Sequence, residues 1–204
     1  MKQQVVYIHG GHTYPSYDEF WKNLNEHKIR DIHNEPHNRW TKKLRDSLGD
    51  DYEVFTPQMP NSENAQYKEW KVWFERHAEH WHDGVILIGL SLGGFFLAKY
   101  LSENKLPVKI KALYLLASPF EIRNLDKEDY HTSFDYSKDN FENLVSQAEK
   151  VEIMHSKDDF VVDFEHGEKL AAAMPEAEFV VYEDKNHFLV EEFPELINRI
   201  KALT

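Results

Sequence analysis

The sequence predicts an α/β protein in which a mostly parallel sheet of about six strands carries helices on both faces. Two observations lead to that expectation. Apolar runs of strand length alternate with stretches of helical period along the whole chain. Two of the runs, Val85–Gly89 and Ala112–Ala117, are apolar at successive rather than alternate residues, as central parallel strands covered on both faces require.

The strand candidates in order are Gln4–Ile8, Tyr52–Phe55, Val85–Gly89, Ala112–Ala117, Val151–His155 and Glu178–Tyr182. Helical stretches lie between them. Asn38–Ser47 and its flank place Trp40, Leu44 and Leu48 four residues apart, and Ala65–His80 carries Trp70, Trp73, Phe74 and His77 at the same period. Gly93–Ser102 brings Phe96, Leu97, Tyr100 and Leu101 to one side. Phe164–Met174 stops at Pro175, which cannot continue a helix. Pro194 suits a first helical turn, so the last helix should run from there to about Ala202. Strand and helix repeated in this way imply right-handed crossovers and a doubly wound sheet. Residues 13–37 and 120–150 depart from the pattern. Both follow strands, on the side where open α/β sheets bind ligands, and are read as pocket-lining insertions or a small cap. The alternative is ordinary sheet-covering helix with a poor pattern.

The 204 residues, 41% of them hydrophobic, suit one compact domain spanning 1–204. No apolar run is long enough to cross a bilayer, and the N-terminus shows no apolar signal core, so a cytoplasmic location is expected. The absence of cysteine excludes disulfides, thiol nucleophiles and thiolate metal sites. A net charge of −12 argues against nucleic acid and anionic membranes as partners.

Four short motifs carry the chemistry, each placed just after a strand. Gly89-Leu90-Ser91-Leu92-Gly93-Gly94 joins a buried strand to a helix. A serine on so sharp a turn takes a strained backbone, and its neighbours two residues away have no room for a Cβ. The helix N-terminus behind it points free N–H groups at the reacting centre. His9-Gly10-Gly11 follows the first strand and offers an unobstructed backbone N–H, with Gly11 preferred over His12, to pair with that of Leu92 against a developing oxyanion. Ser156-Lys157-Asp158-Asp159 follows the fifth strand, and Asn186-His187-Phe188-Leu189 the sixth. A serine hydroxyl needs a base to take its proton, and the base needs a carboxylate to fix its tautomer. Ser91, an aspartate of the Asp158-Asp159 pair and His187 supply those three groups on one rim of the sheet.

These motifs resemble the α/β-hydrolase superfamily, from about Lys2 to Leu203. The compact form, which begins at the strand leading into His-Gly-Gly and so omits the two antiparallel strands that open the full fold, is similar to the small serine hydrolases related to retinoblastoma-binding protein nine. The resemblance implies a compact α/β-hydrolase fold with Ser91 as nucleophile, Asp159 as acid, His187 as base, and Gly11 and Leu92 as oxyanion donors. Ser156 and Asn186 stand where superfamily members often carry glycine, and Asp163 where they often carry proline.

The expected activity is hydrolysis of a small ester, thioester or amide through an acyl-serine intermediate, without metal or cofactor, and the expected partner is that small-molecule substrate. A non-catalytic binding protein on the same fold and an acyl transferase or haloperoxidase-like enzyme using the same residues are the competing readings. His77, His80 and His82 read as a solvated helix end rather than a zinc site, and His33, Glu35 and His37, in a loop, have equally weak geometry for a metal. Most of the five tryptophans read as packing residues, with Trp21 and Trp40 also candidates for a pocket wall.

Overall fold

A computed structural model of the chain describes residues 1–27, 39–122 and 131–203. Its strands are β1 (Gln3–Ile8), β2 (Tyr52–Phe55), β3 (Val85–Leu90), β4 (Ile110–Leu116), β5 (Val151–Ser156) and β6 (Glu178–Tyr182). They form one sheet in the order β2-β1-β3-β4-β5-β6, every pair parallel. The helices are α1 (Tyr17–Glu26), α2 (Trp40–Leu48), α3 (Tyr67–Ala78), α4 (Leu92–Glu103), α5 (Phe141–Val145), α6 (Phe164–Ala173) and α7 (Pro194–Lys201). The fold is the doubly wound α/β architecture expected from the pattern, and the strand bounds differ from the expected ones by at most two residues.

One rule of handedness distributes the helices. The chain runs from β1 to β2 in one direction and then from β2 back past β1 to β3, β4, β5 and β6 in the other. With right-handed crossovers, the first connection lies on one face and the later ones on the opposite face. Accordingly Trp40, Leu44 and Leu48 of α2 share a core with Leu196 and Ile200 of α7. Helices α3, α4, α5 and α6 build the other core through Trp70, Phe74, Phe96, Phe141, Leu144 and Leu170. The consecutive apolar residues of β3 split between the two, with Val85 and Leu87 entering one core and Ile86 and Ile88 the other. That division is why this strand has no polar face. Helix α4 is buried from Leu92 to Ser102 because α3 and α5 flank it.

The two departing stretches behave differently. Within 13–37, the described residues hold α1, capped by Ser16, whose Oγ accepts the Glu19 N–H at 3.2 Å. None of its residues is buried. Within 120–150, the described part plugs the core beside α4, with Phe134, Phe141 and Leu144 at most 3% exposed, while Ile122 faces the cleft described below. Trp40 belongs to the core and donates its indole N–H to the Phe188 carbonyl at 3.0 Å. Trp21 lies exposed on α1. Neither tryptophan lines the cleft, a correction to the pocket-wall reading.

Candidate active site

The strand order reverses at β1, which has β2 on one side and β3 on the other. In an open α/β sheet such a point leaves a crevice beyond the strands' C-terminal ends. His9, Gly10 and Gly11 leave β1 there, and Leu90, Ser91 and Leu92 leave β3. All six line a cleft of about 1010 Å³, together with Val161, Val162, His166 and His187.

Ser91 takes φ 55° and ψ −123°, a left-handed conformation costing roughly 1–3 kcal/mol for a residue with a Cβ. Close packing over-determines it. The Ser91 N–H donates to the Leu116 carbonyl at 2.9 Å, and the Ser91 carbonyl accepts the N–H groups of Gly94 and Phe95 at 2.9 and 3.1 Å. A Cβ on Gly89 would lie 2.6 Å from the Cα of Gly94, and one on Gly93 would collide with the Ile8 carbonyl. A Cβ on Gly94 would lie 2.8 Å from that of Ser118. The motif therefore lets α4 press against the ends of both neighbouring strands while holding Ser91 up into the cleft.

Asp159 and His187 are each only 7% exposed. His187 Nδ1 lies 2.9 Å from Asp159 Oδ2 and 3.1 Å from Oδ1. An ionised carboxylate only accepts, so Nδ1 carries a proton, and in the neutral ring the lone pair is then on Nε2. Asp159 Oδ1 also accepts the N–H groups of Val161 and Val162 at 2.8 and 2.9 Å. Burial pushes the Asp159 carboxyl up, but the hydrogen bonds from His155, His187, Val162 and Val161 outweigh it and hold its pKa far below the usual carboxylate range. His187 opens into the same cleft as Ser91, and no hydrogen bond joins the two among the described residues. Such contacts often tighten only when substrate binds.

The backbone around His187 is strained on both sides, with Asn186 at φ 43° and Phe188 at φ 52°. Asparagine tolerates that region; a phenylalanine needs to be held there. Phe188 is 1% exposed, and its N–H donates to the Lys185 carbonyl at 2.9 Å. Asp158 anchors the same loop, accepting the Asn186 N–H at 2.7 Å and the Ser156 hydroxyl at 2.6 Å. Ser156 Oγ in turn accepts the Lys185 N–H at 2.9 Å. The two residues that stand where superfamily members often carry glycine thus join the loops that bear Asp159 and His187.

At the other side of the cleft, the N–H groups of Gly11 and Leu92 donate no hydrogen bond among the described residues, whereas that of His12 is taken by the Ser62 carbonyl at 2.8 Å. Between Gly11 and His12 this leaves Gly11 with a free donor. Gly10 packs closest to the nucleophile candidate: a Cβ there would lie 3.6 Å from Ser91 Oγ.

Three histidine side chains with no role assigned from the sequence bear on the site. His9 accepts the Met59 N–H through Nε2 at 2.9 Å, so Nδ1 carries the proton and donates to the Gly10 carbonyl at 2.6 Å, fixing the glycine loop. His155, fully buried on β5, donates through Nε2 to the Val162 carbonyl at 2.9 Å and approaches Asp159 Oδ2 at 3.4 Å. His166 accepts the Phe120 N–H at 3.1 Å on the cleft wall, and burial and then the charge of Lys169 hold its pKa below that of ordinary histidine. The placement of His9 and His155 at strand ends, two and four residues before Gly11 and Asp159, was the available signal.

Among the described residues, no group of three or more histidine, cysteine, aspartate or glutamate side chains is arranged to hold a metal ion. His77 packs edge-on against Trp73, and His33, Glu35 and His37 lie outside the described residues. Likewise, no described helix is long and apolar enough to cross a membrane.

No curated protein matches the chain. Among solved structures, the ydeN gene product of Bacillus subtilis superposes with a TM-score of 0.75 at 18% identity, covering 99% of this chain and 98% of that one. Est1E of Butyrivibrio proteoclasticus gives 0.61 at 13% identity over 98% and 86% of the two chains. The meta-cleavage product hydrolase of Pseudomonas fluorescens gives 0.61 at 12% identity over 98% and 90%. These likenesses establish the α/β-hydrolase fold. A family model described as serine hydrolase matches residues 30–199, so the chain belongs to the serine hydrolase family and is a hydrolase.

Proposed function

We propose that the chain cleaves small esters through an acyl-serine intermediate, with Ser91 as nucleophile, His187 as general base, Asp159 as its orienting acid, and the N–H groups of Gly11 and Leu92 as oxyanion donors. The observation that supports this reading most is the pairing of a strained serine on a strand-to-helix turn with a buried aspartate–histidine couple opening into the same cleft. A binding module has no use for a serine held in a strained backbone conformation, which costs stability.

In the first half-reaction Ser91 Oγ attacks the ester carbonyl while His187 Nε2 takes the hydroxyl proton. The negative charge on the carbonyl oxygen meets the Gly11 and Leu92 N–H groups, which donate to no other group among the described residues. Asp159 stabilises the imidazolium without itself taking a proton. The tetrahedral adduct collapses, His187 returns the proton to the leaving alkoxide, and an acyl-serine remains. A water then attacks with His187 again as base, releasing the carboxylic acid and restoring Ser91. A direct test is rapid mixing with p-nitrophenyl acetate. A burst of p-nitrophenolate equal to the enzyme, with one acetyl group on Ser91 by mass spectrometry, is expected. Turnover with no covalent species under any quenching condition would contradict the acyl-serine step.

A further inference from the structure

One wall of the cleft carries a charge pattern that neither the fold nor the proposed bond cleavage requires. Arg39, Lys42 and Arg45 all line it, in a chain whose net charge is −12. They follow one another at three-residue spacing along α2 and its N-cap, so successive cations are neighbours on the helix surface. Among the described residues none of the three forms an ion pair, whereas adjacent Lys43 reaches Glu192 at 3.4 Å. Arg45 donates one N–H to the Val54 carbonyl at 2.8 Å and keeps the rest of its guanidinium free of described partners. Two carboxylates share the cleft, Glu63 and Glu121, and Glu121 lies 3.8 Å from Lys169.

The position of Arg39 and Lys42 on their helix runs against ordinary helix electrostatics. A helix N-terminus carries partial positive charge and is stabilised by acidic side chains and an N-cap acceptor. The first turn of α2 has no acidic residue, its N-cap is Arg39, and that cap makes no side-chain hydrogen bond. Mutual repulsion opposes the row, and the dipole opposes Arg39 and Lys42, though it favours Arg45 in the last turn; α1, with Asp18 and Glu19 in its first turn and a serine cap, shows the usual pattern in the same chain. An anion seated in the cleft would supply the negative charge that the first turn of α2 lacks.

We propose that this wall binds an anionic group of the substrate, so that the ester cleaved at Ser91 carries a carboxylate or phosphate. The inference rests on the proposed function for the identity of the reacting ester, and on the cleft alone for the anion. Thr41, on the same wall, offers a hydroxyl donor beside the cations.

Matched ester pairs test it. On the acyl side, p-nitrophenyl hemisuccinate is compared with its neutral methyl ester. On the leaving-group side, 4-acetoxybenzoate is compared with methyl 4-acetoxybenzoate, and 4-acetoxyphenyl phosphate tells phosphate from carboxylate. At low ionic strength at least one anionic member is expected to exceed its neutral partner about tenfold in kcat/KM, a preference that shrinks as salt is raised. The double variant Arg39→Gln, Lys42→Gln should bring that ratio to about one, and Lys109→Gln, at the start of β4 on the opposite rim, should keep it. Equal or better turnover of every neutral member, or a preference that survives the double variant, would overturn the proposal. Fluorophosphonate labelling of the same samples separates the two failures: a labelled Ser91 without anion preference refutes only the cationic wall. If Ser91 is not labelled, calorimetry with 4-acetoxybenzoate and its methyl ester still decides, because binding needs no turnover. Tighter binding of the anion supports the wall, and equal binding refutes it.

Discussion

The Asp158 carboxylate accepts the backbone N–H of Asn186 at 2.7 Å, one residue before the histidine that Asp159 engages. Two adjacent acids thus divide the work on one loop, Asp158 holding its backbone and Asp159 its imidazole. Adjacent side chains on a turn diverge, which is why only one of them reaches the ring.

From that division, Asp159→Asn is expected to lower kcat by about 10³–10⁴, through loss of the tautomer that leaves Nε2 free. Asp158→Asn keeps one acceptor oxygen and should cost less than about tenfold in kcat, with a lower thermal midpoint. Steady-state kinetics at matched folding, judged by thermal melting, compares the two. A dead Asp158→Asn beside a nearly normal Asp159→Asn would reverse the assignment.

Acid stability should report on Asp159 as well. Burial raises its pKa, but hydrogen bonds led by those of His155 and His187 lower it further, so the folded value lies below the unfolded one. The unfolded chain therefore takes up the proton first as pH falls. The stabilisation is complete above the unfolded value of roughly 3.9 and is lost as pH drops below it. Urea midpoints from pH 6 down to 2.5 should fall more steeply for the native protein than for Asp159→Asn. Parallel curves would mean that the carboxylate has no such linkage.

The elbow glycines allow a stability test. A Cβ on Gly93 would strike the carbonyl of Ile8, backbone at the end of the central strand β1, with no flexible side chain to yield. Gly93→Ala is expected to cost about 3 kcal/mol or more, beyond the usual range for overpacking. Chemical denaturation measures it, and a loss under about 1 kcal/mol would show that the helix can move away from β1.

His155→Phe keeps an aromatic ring but removes the Nε2 donor that bonds the Val162 carbonyl and approaches Asp159 at 3.4 Å. It leaves a carbonyl in need of a donor, which should cost about 1–3 kcal/mol. If His155 also positions Asp159, kcat should fall with little change in KM, and His155→Gln, which keeps an N–H donor, should recover part of it. Loss of stability with unaltered kcat would confine His155 to a structural role.

Much of this was legible in the sequence because it lies in strands and in the turns after them. The uninterrupted apolar character of Val85–Leu90 marked a two-faced central strand, and the glycines around Ser91 marked a place where helix and sheet meet too closely for side chains. Helix α1 falls in a stretch that the sequence marks as a pocket-lining insertion, a small cap or sheet-covering helix, although Ser16 accepts the Glu19 N–H and Tyr17, Phe20, Trp21 and Leu24 recur at helical spacing. Its apolar stripe buries nothing, so the usual link between period and burial did not apply. Phe134, Phe141 and Leu144 fill the core from a segment whose acidic, aromatic composition gives no clear period. The roles of His9 and His155 depend on which backbone groups lie opposite them, and no spacing rule encodes that.

The central claim is that Ser91 is an activated nucleophile, and covalent labelling with a fluorophosphonate probe tests it most directly. The native protein should take up one equivalent of probe at the peptide bearing Ser91 and lose its ester hydrolysis in proportion. Ser91→Ala should remain folded, take up none, and retain at most the weak turnover that oxyanion donors alone provide. Labelling at another residue, or near-native turnover by a clean Ser91→Ala sample, would contradict the account.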